Sequence, residues 1–429
     1  MRMSTVRKQE KKLPIPRVST HASFWWVVQT AIASILSLQI VTVIILSVVS
    51  KLRAKRLHEQ SFPYLRLDEV AVGENRMLIY AYGRDLYDAM LEAIDDARET
   101  IYLESFIWKD DAVGQEFKEH LIKKAAEGVE VYIIFDAFGN FVVPRAFKEA
   151  RSFPGIHVLE YQAMHRPWHI LDPRYYALDH RKLLIADGAI SFIGGYNIGS
   201  LYATSWRDTH LRIAGPASAD LAQSFIDFWN RSSSKKYRIT RRYRRHFDPL
   251  ITLWGNDAHR LTFPIRDMYI ESIDRAEESI LLTNAYFVPD HILLDALKEA
   301  AQRGVDVRIL VPWISNHVIA DWASHGYFQE CLEAGIHIFG YKHSMLHAKT
   351  CTIDGQWSTI GTANLDRLSS IGNYEINVEV YSPELAHQME ALFACDTKDV
   401  VELTRTNWQS RPWYTQASER ILAPLRFII

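Results

Sequence analysis

Apolar and polar positions divide the chain into two regimes. From Phe24 to Val49 no charged residue interrupts "FWWVVQTAIASILSLQIVTVIILSVV". A helix needs about 20 such residues to cross the hydrocarbon core of a bilayer, so the run predicts an uncleaved membrane anchor over residues 24–49. Trp25 and Trp26 stand at one end, where indole rings favour the headgroup level. A signal peptide would carry a shorter apolar stretch, and no small-x-small cleavage pattern precedes the basic "KLRAKR". Basic residues flank the run on both sides, Arg2 to Arg17 before it and Lys51 to Arg56 after it, so charge alone gives no orientation.

Beyond Phe62 the pattern changes to amphipathic helices alternating with short buried strands, and it occurs twice. "AIDDARETIYLESF" (93–106) pairs with "SIDRAEESILLTNA" (272–285), each the end of a helix followed by a strand. "KKAAEGVEVYIIFD" (123–136) pairs with "EAAQRGVDVRILVP" (299–312): helix, glycine stop, strand. This alternation predicts an α/β fold with helices packed on a largely parallel or mixed sheet, once per half. At 429 residues, 48% of them apolar, the chain is long enough for two globular domains besides the anchor.

The repeat is tightest around "DHRKLLIADG" and "LHAKTCTIDG". One offset of 167 residues carries His180 onto His347, Lys182 onto Lys349, Asp187 onto Asp354, Asn197 onto Asn364 and Asp208 onto Glu375. Along a strand, residues two apart share a face, so each His-Lys pair points one way while Arg181 and Ala348 point the other. Asp-Gly then predicts tight hairpin turns at 187–188 and 354–355. The return strands bring Gly194, Asn197, Gly361 and Asn364 back beside the pairs, with the glycines leaving room for a ligand to approach the backbone. Each half thus offers an imidazole, an ammonium and a carboxamide. Facing each other across a pseudo-twofold axis, the halves would surround one phosphoryl group. Lys182, Lys349, Asn197 and Asn364 would stabilise its non-bridging oxygens. One histidine would attack phosphorus and the other protonate the departing alkoxide. Asp208 and Glu375 fit as partners for the ring N–H of His180 and His347. Asp187 and Asp354, beside the turns, have the position of structural residues.

A lone histidine is more often a satisfied structural residue than a catalyst, and His165, His169, His210 and His343 keep that reading. The recurrence of these companions in one register sets His180 and His347 apart. No metal site is expected, since HxK puts an ammonium where a second ligand would stand, and no HxH or HExxH occurs. A Walker-type loop and GxSxG are also missing from the sequence.

Charge adds little. The net value of -2 indicates no polyanion partner, and the basic "KKYRITRRYRRHF" (235–247) reads either as a solvated linker or as a patch facing anionic headgroups. Cys331, Cys351 and Cys395 are far apart and predict free thiols in a reducing setting, which leans toward a cytoplasmic body.

The two HxKxxxxD motifs, each followed by a glycine-containing turn and Asn, resemble the phospholipase D superfamily. The strings "SFIGGYNIG", "WRDTHLRIAGPA", "TIGTANLD" and "ESFIW" are similar to those of its bacterial cardiolipin synthases, over roughly residues 62–429. The resemblance implies duplicated phospholipase D-type domains related by a pseudo-twofold axis with one shared active site. Their expected bounds are 62–230 and 248–429, joined by a basic linker at 231–247 and preceded by a basic tail (1–23), the anchor and a basic linker at 50–61. It also implies a phosphatidyltransferase that converts two phosphatidylglycerol molecules to cardiolipin and glycerol through a phosphohistidine, without cofactor. His180, Lys182, Asp187, His347, Lys349 and Asp354 would form the catalytic motifs, His180 the nucleophile and His347 the acid/base. The partners implied are phosphatidylglycerol and the membrane, with no nucleic acid. A hydrolase or transphosphatidylase on other phospholipids, a nuclease and a catalytically silent scaffold are the alternatives. Close relatives often carry two N-terminal membrane helices, whereas one span is visible here, giving a single-pass anchor in the cell membrane.

Overall fold

A computed structural model of the chain describes residues 20–57, 62–144, 147, 153–164 and 172–422. His165, His169, most of the basic tail and the last seven residues lie outside that set.

The first half contributes nine strands: β1 (Val70–Val72), β2 (Asn75–Tyr80), β3 (Thr100–Ser105), β4 (Glu130–Asp136), β5 (Ile156–Tyr161), β6 (Leu183–Ala186), β7 (Ile190–Gly194), β8 (Trp206–Arg207) and β9 (His210–Ala214). All but β8 form one sheet in the order β1-β2-β9-β7-β6-β3-β4-β5. The second half contributes β10 (Ile251–Asn256), β11 (Ser279–Asn284), β12 (Asp306–Pro312), β13 (His337–Tyr341), β14 (Met345–Leu346), β15 (Lys349–Ile353), β16 (Trp357–Gly361), β17 (Glu375–Tyr381) and β18 (Val400–Leu403). Its sheet runs β10-β17-β16-β15-β11-β12-β13-β18. The two orders match strand for strand apart from one added edge strand each. Both sheets are mixed: β3-β4-β5 and β11-β12-β13 are parallel and their remaining pairings antiparallel.

Helices cover the outer faces because their apolar stripes demand it. In Gly83–Asp96, Leu86, Tyr87, Met90, Leu91 and Ile94 recur at three- and four-residue spacing and are buried against the first sheet. The helix His291–Gln302 does the same for the second with Leu293, Leu294 and Leu297. The inner faces of the sheets meet in one core, where Ile193, Leu211 and Ile213 join Ile360, Ile376 and Val378. Two helices related by the repeat, Ala217–Ser232 and Pro383–Asp396, complete that core.

Both Asp-Gly pairs form the expected hairpin turns. Asp187 and Gly188 have φ of 53° and 67°, and Asp354 and Gly355 have 53° and 60°. Positive φ at both central residues is the turn that matches strand twist.

The apolar helix Thr20–Leu57 contains a span, Val28–Val49, long and apolar enough to cross a membrane, and only 6% of that window is buried. Its one buried polar side chain, Gln39, donates to the carbonyl of Ile421 at 3.2 Å, which gives an amide in an apolar run the partner it needs.

The basic segment 235–247 lies along Ala217–Ser232. Trp229 Nε1 donates to Tyr237 O, Asn230 bonds Ile239 in both directions, and Tyr243 N donates to Gln223. Two of its cations are paired, Arg241 with Glu99 at 2.8 Å and Arg242 with Asp227 at 3.5 Å. In "NWQSRPWY", Trp408 is buried with the Arg411 guanidinium over its ring, whereas Trp413 and Tyr414 are exposed. The three cysteines are free thiols.

Candidate active site

His180 and His347 each stand in an extended run just ahead of β6 and β15, rather than within the strands. The two-residue alternation still holds there. Arg181 turns back to pair with Glu104 at 2.8 Å, and Ala348 turns into an apolar cluster.

Each histidine is docked onto the other half. His180 N donates to Tyr374 O at 3.1 Å, and His347 N donates to Arg207 O at 2.7 Å. These acceptors are themselves related by the 167-residue offset. β8 and β14 pair in parallel at one docking point, and a single bridge joins Asp179 to Tyr374 at the other. The residue after each acceptor supplies a carboxylate, so the acid partners are crossed. His180 Nδ1 bonds Glu375 Oε1 and Oε2 at 2.9 and 3.0 Å, and His347 Nδ1 bonds Asp208 Oδ2 at 2.6 Å. When Glu375 and Asp208 are ionised they can only accept, which puts the proton on Nδ1 and leaves Nε2 as the lone-pair nitrogen.

The carboxylates are themselves held. Thr362 Oγ1 donates to Glu375 at 2.6 Å, and Thr209 N donates to Asp208 at 2.7 Å. Arg207, whose carbonyl fixes His347, is anchored by two bonds to Asp396 at 3.0 and 2.6 Å, an ion pair sealed inside the core. Lys182 Nζ donates to His180 O at 2.6 Å, and Lys349 Nζ to His347 O.

The electrostatics couple the halves. Burial holds both imidazoles well below their ordinary value, and the ammonium groups of Lys182 and Lys349 act on both rings in the same direction. His180 also lowers His347. Burial likewise brings Lys182 down to about 7 and Lys349 to about 8, while it raises Asp208 to about 6 and Glu375 to about 8. Two buried ammonium groups acting on the same two rings suit the binding of an anion.

Other expected residues fall in different places. Asn197 is buried and already engaged, its Oδ1 accepting from Ile107 N at 3.1 Å. Asn364 is equally buried, but its Oδ1 has no protein partner. Asp187 and Asp354 are away from the histidines, at the turn ends of their strands. Each carboxylate accepts from three consecutive backbone N–H groups at 2.7–2.9 Å, of residues 98–100 and 277–279 respectively. They fasten the hairpin to the neighbouring strand and touch no reacting group. The expectation that Gly194 and Gly361 leave ligand space also needs correcting. A Cβ at Gly194 would meet the backbone and ring of His210, and one at Gly361 would meet the Asn377 carboxamide at 2.1 Å. Those positions are glycine for internal packing.

Several neighbours were not assigned from the sequence. Phe106 packs on His180 at 5.0 Å between centroids, Trp206 on His347 at 5.1 Å, and Tyr286 lies 6.2 Å from His347. His317, close enough to influence His347, stands outside the repeat register and carried no signal. Phe106 lay within "ESFIW", which marked the segment without marking the residue. The halves also differ behind the site. Asp179 and Glu104 face each other under His180, both raised by burial, where the second half has Leu346 and Thr283. Among the described residues, no three His, Cys, Asp or Glu side chains gather to hold a metal ion.

The chain is similar to known proteins in sequence and in fold. A family model described as "Cardiolipin synthase, PLD-like domain" matches residues 90–229 and 269–397, one match in each half. The cardiolipin synthase of Listeria monocytogenes serotype 4a is 33% identical over 368 residues, which cover 82% of this chain and 76% of that protein. The cardiolipin synthase of Geobacillus kaustophilus is 32% identical over 360 residues, covering 80% and 71%. Among solved structures, the phosphatidylserine synthase of Haemophilus influenzae superposes with a TM-score of 0.62 over 88% of this chain and 97% of its own. At 14% identity that likeness concerns the fold alone. The chain belongs to the cardiolipin synthase family of phospholipase D-like proteins.

Proposed function

We propose that the chain is a cardiolipin synthase-type phosphatidyltransferase that joins two phosphatidylglycerol molecules and releases glycerol. The observation that carries this reading is the crossed arrangement, in which each imidazole takes its carboxylate from the opposite half while both lysines act on both rings. In the first step His180 Nε2 attacks phosphorus, the bond from phosphorus to the glycerol oxygen breaks, and His347 gives its proton to that oxygen. Burial and, after it, the ammonium charge favour neutral His347, and a bound phosphodiester anion offsets that charge. In the second step His347 Nε2 takes the proton of the incoming hydroxyl, whose oxygen attacks phosphorus as the bond to His180 breaks. Lys182, Lys349, Asn197 and Asn364 stabilise charge on the non-bridging oxygens, and Glu375 and Asp208 stabilise the cationic ring each one holds. The catalytic lobes are taken as 62–230 and 248–429, on a single-pass anchor with the body in the cytoplasm. The apolar run and the three unpaired cysteines support that topology.

Full-length chain in vesicles of phosphatidylglycerol, with chelator present, is expected to yield cardiolipin and glycerol in equal amounts. Phosphatidic acid as the main product would instead identify a hydrolase, and no consumption of phosphatidylglycerol would contradict the reading.

The lysines add a pH dependence. In the empty site they lose protons near 7 and 8, and a bound phosphodiester raises both values. Binding therefore takes up protons. Affinity is full below about 7 and falls as pH rises past the free values. Calorimetry with dimethyl phosphate, an anion of constant charge, should show proton uptake at pH 8 when two buffers of different ionisation enthalpy are compared. Proton release would refute the assignment.

A further inference from the structure

The end of the molecule that holds the histidines carries a rim of exposed apolar side chains. β4 ends at Asp136, whose carboxylate accepts from the backbone N–H of Asp179 at 2.9 Å, one residue before His180. The loop that follows presents Phe138, Phe141 and Val142, which are 72–85% exposed. Its polar residue points the other way. Asn140 is buried, donates to Phe106 O at 2.8 Å and accepts from Trp108 N at 2.8 Å. Phe106 in turn packs on His180. The loop is thus fastened to the wall of the site while its three large apolar side chains face outward, an arrangement that marks an interaction surface.

The repeat extends the rim to the other half. Leu201 and Leu368, one offset of 167 apart, are both exposed in the short helices Ser200–Thr204 and Arg367–Ile371 that follow Asn197 and Asn364, and Ile371 is exposed beside Leu368. The first described residue after the apolar helix lies at this same end. Phe62, shortly after the apolar helix, packs on Tyr82 at 5.9 Å, directly beyond β2, whose last residue pairs with His210. Phe247, 89% exposed, lies at the opposite end, where its neighbour Asp248 bonds Asn75 at the start of β2.

We propose that this rim is the face on which the body rests on a phospholipid bilayer, with Phe138, Phe141 and Val142 entering the acyl region beside the site. The His347 side chain is only 6% exposed, so a phosphodiester must leave bulk water to reach it. An apolar rim surrounding a cationic site matches the order of chemistry met on entering a bilayer from water: anionic headgroup first, acyl chain beneath. The proposal rests on the phosphatidyltransfer reading and adds the orientation of the body.

The test uses the full chain with Cys395→Ser, since the other two thiols are buried. Bimane is attached at Phe141→Cys or at Phe247→Cys, and the protein is placed in phosphatidylglycerol vesicles doped with lipid carrying a nitroxide on the acyl chain. Strong quenching at 141 and little at 247 is expected; equal quenching at both overturns the proposal. A second arm replaces Phe138, Phe141 and Val142 with serine. Turnover of vesicle substrate should fall by about tenfold or more, while turnover of monomeric short-chain phosphatidylglycerol stays within about twofold. Equal loss on both substrates, or no loss on either, overturns it. The quenching arm needs no catalysis, so a chain that makes no cardiolipin would sink the functional reading and leave the orientation standing.

Discussion

His180→Ala and His347→Ala each lower cardiolipin formation by about 10⁴-fold or more, and the double variant is no slower than the worse single one. In the proposed mechanism the two rings act on one bond-making and bond-breaking event. Without His180 no covalent intermediate forms, and His347 then has no leaving group to protonate. Without His347 the alkoxide must depart unprotonated, and the second alcohol arrives with its proton still on. Removing the second member of such a unit takes away nothing further. Rates of purified variants of equal thermal stability, compared on one vesicle substrate, check this. Two partial losses that multiply in the double variant would mean that the histidines work independently.

Glu375→Gln and Asp208→Asn are each expected to cost about 10²- to 10⁴-fold, because a carboxamide neither fixes the same tautomer nor stabilises a cationic ring. The crossed hydrogen bonds make the two losses distinguishable. Glu375 serves His180, so its loss impairs attack on phosphorus whatever the leaving group. Asp208 serves His347, so its loss matters most when the leaving oxygen needs a proton. In the pre-steady-state burst of p-nitrophenolate from a p-nitrophenyl phosphodiester, whose leaving group departs as the anion, Asp208→Asn should recover most of its rate and Glu375→Gln should not. The opposite pattern would reverse the roles of the two histidines.

Much of this was legible in the sequence because duplication repeats the histidines, lysines and carboxylates of the site in one register. The offset of 167 marked His180, Lys182, Asp208 and their counterparts, and the Asp-Gly turns were legible from the only residues that favour two successive positive φ values. The crossing was not legible. A linear register relates like residues in the two halves, whereas the contacts that matter join unlike residues across the interface, His180 to Glu375 and His347 to Asp208. Glycines 194 and 361 misled for a related reason: the sequence shows a missing side chain but not the His210 or Asn377 group that fills the space. Phe106, Trp206 and His317 reach the site from positions with no common spacing, so periodicity could not find them. The asymmetric Asp179–Glu104 pair likewise appears only when the strands β3 and β6 are set side by side.

Counting phosphatidyl groups per polypeptide is the shortest route to a decision. Enzyme mixed with excess labelled phosphatidylglycerol for a fraction of one turnover, quenched in alkali to preserve phosphohistidine and digested, should carry at most one label per chain, on the peptide containing His180. A value approaching two, with the peptides of His180 and His347 labelled alike, would mean two separate reaction centres and would contradict a single phosphorus shared by both rings.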